Sequence, residues 1–287
     1  MQYEAPTTVD QAVALLKNSG NASKVLAGGT DLLVQLRSGM IEPELIVDIK
    51  KIPEVRSILK EDGKFRVGAV VTGAELGEHG DLKAAWPGVV EAAELIGSTQ
   101  IQGRASLGGN LCNASPAADA VPALVAAGAI CMIAGPNGRR ELPVGAICTG
   151  PGQTSLSPGE FVVSFLFPIP KPRSGDAYLR FIPRTEMDIA VVGVGIHITL
   201  DAENVCVDAR VAVGAVAPTV LLVEESAAAL VGTMVDDASI DKMIAAVRDS
   251  CDPIDDKRGT VVYRTQVAGV LAGRVCRIAL QRTRRHE

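Results

Sequence analysis

Two stretches of the chain set paired glycines among short polar side chains, and both have the composition of a loop that holds phosphate oxygens. The first reads VLAGGTDLL, with Ala27, Gly28, Gly29, Thr30 and Asp31 at its centre. A β run stops at two glycines, a hydroxyl follows, and a helix begins. Adjacent glycines let consecutive backbone N–H groups turn toward one point, and a helix N-terminus adds the positive end of its dipole. The same pattern also suits an ordinary strand-to-helix turn that uses Gly for a positive φ. The second stretch reads GRASLGGNLCNASPAAD, where Gly108 and Gly109 stand among Ser106, Asn110, Asn113, Ser115 and Asp119. That many short hydrogen-bonding side chains can meet a polar ligand from several directions. They can equally satisfy the loop's own backbone.

Other chemistries find little support. Gly193 and Gly195 resemble the start of a dinucleotide fingerprint, but the third glycine is missing and the pair lies inside a long β run, as strand glycines do. No GxxxxGK[ST] loop and no HExxH pair occur. The three histidines are isolated, and His79, His197 and His286 read as loop, strand and tail residues. Six cysteines are scattered with no two within four residues, which excludes the spacing of zinc or cluster ligands. They read as reduced, mostly buried thiols, Cys112 included. Neither a protein nucleophile nor a metal site is expected.

The elements that position these loops follow from periodicity and punctuation. Thr8 to Gln11 reads as a capping box opening a helix that ends at Gly20. A strand over 24–27 leads into the first loop, a helix spans about 31–38, and strands follow at 45–49 and 65–69. Residues 82–96 predict one helix. The polar stretch 97–118 is a long loop, and such loops are usually functional. A helix over 119–127, a strand over 130–134 and an apolar strand over 161–167 come next. Three prolines and a glycine within residues 168–175 mark a linker. Beyond it, strands 189–200 and 205–216 form a hairpin, and helices are expected near 224–231, 239–250 and 263–281. The reading is two domains, 1–173 (lobes about 1–55 and 56–173) and 174–287.

Composition agrees. Hydrophobic residues make up 47% and aromatics only 3%, so aliphatic cores of mixed helix and sheet are expected. A net charge of −5 argues against nucleic-acid binding. Positive charge collects late, in Arg274, Arg277, Arg282, Arg284 and Arg285, as on a solvated helix face. The N-terminus lacks a secretion signal and no apolar run reaches membrane-spanning length, so a cytoplasmic protein with no membrane span is expected.

Taken together, LAGGTDLLVQLRSG (26–39), RASLGGNLCNASPAADAVPAL (104–124) and YLRFIPRTEMDIAVVGVG (178–195) resemble the FAD-binding medium subunit of the molybdenum hydroxylases, of the carbon monoxide dehydrogenase and bacterial xanthine dehydrogenase type. The basic helix opening at Tyr263-Arg264 is also similar, so the resemblance spans nearly the whole chain. It implies an α+β fold: a two-lobed FAD-binding domain of the vanillyl-alcohol-oxidase (PCMH) type, then a smaller α+β C-terminal domain. It further implies that Ala27, Gly28, Gly29, Thr30 and Asp31 cradle the FAD pyrophosphate, and that Ser106, Gly109 and Asn110 contact pyrophosphate and flavin. Asp119 would bind the cofactor's polar chain, and Ile96 and Val162 would supply apolar contacts. Arg180 stands where relatives often place a lysine near the flavin, which keeps the charge but not the point geometry. Arg184, Glu186 and Asp188 match a charged cluster, read as an interdomain ion-pair network or a surface for the electron acceptor.

The resemblance implies an oxidoreductase subunit with no catalytic acid or base of its own. Electrons would come from [2Fe–2S] clusters in a small partner subunit, fed by molybdopterin in a large one. They would leave to NAD, a quinone or another external acceptor. The complex would be a heterotrimer doubled to a heterohexamer. Two alternatives remain: a self-sufficient flavin oxidase of the vanillyl-alcohol type, and an assembly scaffold that has lost FAD. The aromatic-poor C-terminal part speaks against the first, and the intact glycine pairs against the second.

Overall fold

The structure, a computed structural model, describes residues 1–284, so Arg285 and His286 lie outside the described residues. The chain opens with β1 (Gln2–Glu4), α1 (Val9–Ser19), β2 (Ser23–Leu26), α2 (Leu32–Arg37) and β3 (Leu45–Asp48). The strands form a parallel sheet in the order β1-β3-β2. Central β3 is buried along its whole length, as its LIVD sequence demands. Thr8 caps α1 by accepting from the Gln11 amide at 3.2 Å. Gln11 reaches back to the Thr7 amide at 3.0 Å, so the box closes one residue earlier than the sequence suggests.

The second lobe comprises β4 (Ile58–Glu61), β5 (Lys64–Gly68), α3 (Gly73–Glu78), α4 (Gly80–Ala85), α5 (Pro87–Ala93), α6 (Thr99–Gln102), α7 (Leu107–Cys112), α8 (Val121–Ala126), β6 (Ile130–Gly135), β7 (Gly138–Pro143), β8 (Cys148–Gly150), β9 (Gln153–Thr154) and β10 (Phe161–Pro168). Five of these strands make an antiparallel sheet, β4-β5-β10-β6-β7. β10 sits at its centre, which explains the unbroken apolar run FVVSFLF. One face packs on helices, burying Trp86, Leu107, Leu124 and Phe165. The first lobe covers the other, with Leu16, Val47 and Ile49 against Ala134, Phe161 and Val163.

Two expectations change here. The single helix over 82–96 is two helices, α4 and α5, because Pro87 cannot continue α4 and starts a new helix as its first residue. Trp86 fills the break, with its indole Nε1 donating to the Pro168 carbonyl at 2.8 Å. The loop over 97–118 holds α6 and α7, both too short to display an apolar period in sequence.

The C-terminal part contains β11 (Ser174–Phe181), β12 (Val192–Leu200), β13 (Cys206–Gly214), β14 (Leu221–Leu222), α9 (Glu224–Leu230), α10 (Asp237–Asp249) and α11 (Val261–Thr283). Its sheet is antiparallel in chain order, with β12 and β13 as the expected hairpin. Valines and isoleucines of this sheet pack with Met243, Val247, Leu271 and Val275 of α10 and α11. The opposite face packs on the second lobe, where Tyr178 and Ala212 join that lobe's hydrophobic core, and polar contacts flank it. Arg282 of α11 forms an ion pair with Glu91 of α5, its Nη1 standing 3.1 Å from Oε2. Arg210 donates twice to the Val125 carbonyl at the end of α8, at 3.1 and 3.0 Å. Gly195 lets α8 lie against β12, since a Cβ there would stand 2.7 Å from the Pro122 carbonyl oxygen.

Arg184 and Asp188 belong to a different cluster from the one expected. Asp188 pairs with Arg184 at 3.1 Å and Arg258 at 3.2 Å, all within the C-terminal part, so this is not an interdomain network. Exposed Glu186 joins no ion pair among the described residues. No helix among the described residues is long and apolar enough to cross a membrane.

Candidate functional site

β2 delivers the chain to the first glycine loop. Gly28 passes so close to the Arg104 backbone that a Cβ would lie 1.9 Å from its carbonyl oxygen. Gly29 has φ +82°, a left-handed conformation that L side chains resist. α2 then starts, and the Leu33 and Gln35 amides donate to the Gly29 and Asp31 carbonyls at 3.0 Å each. The four amides from Gly28 to Asp31 find no acceptor among the described residues. Orphan amides ahead of a helix are what an anion takes up.

The second loop is held more tightly. Ser106 caps α7, its Oγ accepting from the Gly109 amide at 3.2 Å, and the Gly108 amide donates to the Ala69 carbonyl at 3.0 Å. Asn110 Oδ1 accepts from the Ala120 amide at 3.0 Å, leaving the NH2 group as the donor for a ligand. Gln35 of α2 donates to Asn113 Oδ1 at 3.2 Å, tying the two loops together across the lobes.

Between them lies an open cleft of about 250 Å³, a little under the roughly 300–1,000 Å³ usual for small-molecule and cofactor sites. Ala27, Gly28, Gly29, Thr30 and Asp31 line one wall, and Ser106, Gly109 and Asn110 another. Ile96 and Val162 join them with Leu156, which no motif points to. Lys24, Gln35 and Glu160 also line the cleft without having been foreseen. Arg140 grips Glu160 with two bonds of 2.8 Å and holds its carboxyl below the usual range. Only the start of β10 could have flagged Glu160, as its neighbour. Cys112, expected in a core, is exposed and borders the cleft instead. No group of three or more His, Cys, Asp or Glu among the described residues is arranged to hold a metal ion.

Asp119 and Arg180 are not in that lining. They pair with each other, Arg180 Nη1 to Asp119 Oδ1 at 2.8 Å, and both side chains are almost wholly buried. Burial raises the Asp119 carboxyl and Arg180 offsets part of that rise. Beside them Tyr178 is pushed well above its ordinary value, first by burial and then by the Asp119 charge. Its hydroxyl is buried with no hydrogen-bond partner among the described residues.

Fold and cleft together define an α+β protein with an open cleft between two lobes, lined by two glycine-rich loops. Residues 1–170 match the family described as the FAD binding domain in molybdopterin dehydrogenase, and residues 177–279 match the CO dehydrogenase flavoprotein C-terminal domain. The carbon monoxide dehydrogenase medium chain of Hydrogenophaga pseudoflava is 32% identical over 281 residues, covering 98% of this chain and 97% of that one. A putative xanthine dehydrogenase FAD-binding subunit of Escherichia coli (strain K12) is 37% identical over 219 residues, 76% of this chain and 74% of that one. The solved carbon monoxide dehydrogenase of Hydrogenophaga pseudoflava superposes with a TM-score of 0.94 at 32% identity, covering 98% of each chain. The chain belongs to the FAD-binding medium subunits of the molybdenum hydroxylases, and is thus a subunit of an oxidoreductase. The cleft fits that cofactor: orphan amides suit a pyrophosphate, and a Cβ on Gly109 would meet nothing nearer than 3.4 Å, so room is left at the second loop.

Proposed function

We propose that the chain binds FAD in this cleft and serves as the electron-transfer stop of a three-subunit complex. The observation that carries the reading is the row of four orphan amides, Gly28 to Asp31, opposite Ser106, Gly109 and Asn110. In it, the amides of the first loop and the Thr30 hydroxyl hold the pyrophosphate. Ser106 and Asn110 offer donors from the second loop, Gly109 keeps the backbone low enough for approach, and Ile96 and Val162 exclude water at an apolar wall. The Asp119–Arg180 pair acts from behind Asn110, as a buried charge pair at the boundary of the two domains, 1–173 and 174–287.

The chemistry supplied by bound FAD is reversible two-electron redox, with the protein setting position and potential. Electrons arrive from a small [2Fe–2S] subunit, itself supplied by a large molybdopterin subunit, and leave to NAD, a quinone or another external acceptor. The assembly is a cytoplasmic heterohexamer. Native co-purification with metal analysis tests this: molybdenum and iron should travel with the flavin. A chain whose flavin is reduced rapidly by a small alcohol, with no partner present, would instead be a self-sufficient oxidase.

A further inference from the structure

The first loop is anchored from behind by a residue that does not line the cleft. Lys50, two residues beyond β3, donates from Nζ to the Ala27 carbonyl at 3.0 Å. Its charge is met by Asp48 Oδ1 at 2.8 Å, and the Lys50 amide donates to the same oxygen at 3.0 Å. Asp48 is buried, and its other oxygen accepts from the Tyr3 hydroxyl at 2.5 Å. Burial alone would raise the Asp48 carboxyl, but the bonds from Lys50 and Tyr3 outweigh it and hold the group ionised below its ordinary value. A relay thus runs from β1 through β3 and Lys50 to the end of β2.

The consequence follows from peptide geometry. The Ala27 carbonyl and the Gly28 N–H belong to one planar trans peptide, so they point in opposite directions. Fixing the carbonyl on Lys50 therefore fixes the first orphan amide on the opposite side. Little else would. Residue 28 is glycine, whose backbone tolerates the φ change of a peptide flip, and its amide has no other partner among the described residues. A flipped peptide would present a carbonyl oxygen, not an N–H, to an incoming phosphate.

We infer that Lys50 is a positioning residue for the FAD pyrophosphate, setting the Ala27–Gly28 peptide so that the Gly28 amide donates into the cleft. The inference rests on the reading that the cleft holds FAD. Lys50 acts through the backbone and touches no part of the cofactor. Its partner Asp48 keeps the ammonium aimed, and arginine, with several donors, can reproduce both contacts.

The test is FAD titration of the full-length apoprotein as wild type, Lys50→Met and Lys50→Arg, beside thermal melts of each without FAD. Losing a charge-assisted bond that orders a binding amide should weaken FAD binding by about tenfold or more in Lys50→Met. Lys50→Arg should recover most of that loss. The apoprotein of Lys50→Met leaves the buried Asp48 carboxylate without its ammonium and should melt earlier, so affinities are read well below every variant's melting range. The double variant Lys50→Met/Asp48→Asn, which removes the unpaired charge, should regain stability without regaining FAD affinity. Lys50→Met binding FAD as tightly as wild type would overturn the inference. So would a double variant whose FAD affinity returns together with its stability, since the lysine would then be structural. Wild type taking up no FAD is a separate result: it refutes the reading of the cleft, and the role of Lys50 falls with it.

Discussion

Gly28 and Arg104 meet backbone to backbone: a Cβ built on Gly28 would stand 1.9 Å from the Arg104 carbonyl oxygen. The first glycine loop thus rests directly on the segment that leads into the second, two residues before Ser106. The two halves of the cradle are registered by contact, not merely by facing one another. Glycine is required at 28 by packing alone.

The glycines are therefore separable by experiment. Gly28→Ala forces backbone apart and should destabilise the apoprotein by about 1–3 kcal/mol or more, seen as an earlier denaturation midpoint. Gly109→Ala meets only ordinary contacts, with Ser106 Oγ at 3.4 Å and Ala27 Cβ at 3.9 Å, and should fold with near-native stability.

The Asp119–Arg180 pair should be costly to break and cheap to replace. Asp119→Ala leaves the buried Arg180 charge unpaired, and urea unfolding should register a loss of about 3–5 kcal/mol. The double variant Asp119→Leu/Arg180→Met should recover most of it. Single and double losses that simply add would show the two residues to be independent.

Asp176 makes stability depend on pH. Its carboxyl lies buried where β11 meets α5, and burial pushes it up to about 7, with Arg282 opposing and Glu91 adding to the rise. The folded state then holds a proton that the unfolded chain has released, so stability from this group falls as pH rises between about 4 and 7. Asp176→Asn mimics the protonated form. Relative to wild type it should be about neutral near pH 4 and increasingly stabilising toward pH 7, measured by chemical denaturation across that range.

Tyr178 carries a buried hydroxyl with no hydrogen-bond partner among the described residues. Removing it in Tyr178→Phe should leave the apoprotein unchanged or raise its stability by about 1 kcal/mol. A clear loss in the thermal melt would mean that the hydroxyl has a partner after all.

Much of the architecture could be read from local signals. Gly28-Gly29 and Gly108-Gly109 announce both loops, and the long apolar runs of β10, β12 and β13 announce the sheets. What escaped depends on distant neighbours. Pro87 splits the helix expected over 82–96, and only the packed Trp86 shows how the break is filled. α7 hides in a polar stretch because six residues are too few for a period. Glu160 and Lys50 carry no motif, since their partners, Arg140 and Ala27, stand 20 and 23 residues away in the chain. Asp119 and Arg180 were both singled out, yet nothing in the sequence says that they hold each other.

The central claim, that FAD sits between the two loops, is tested most directly by titrating FAD into purified wild type and Gly109→Val. A valine at 109 projects into the room left at the second loop while the fold has space for its Cβ. Wild type should bind one FAD per chain with flavin absorbance, and Gly109→Val should fold and bind none. Stoichiometric FAD in a folded Gly109→Val chain would contradict the account.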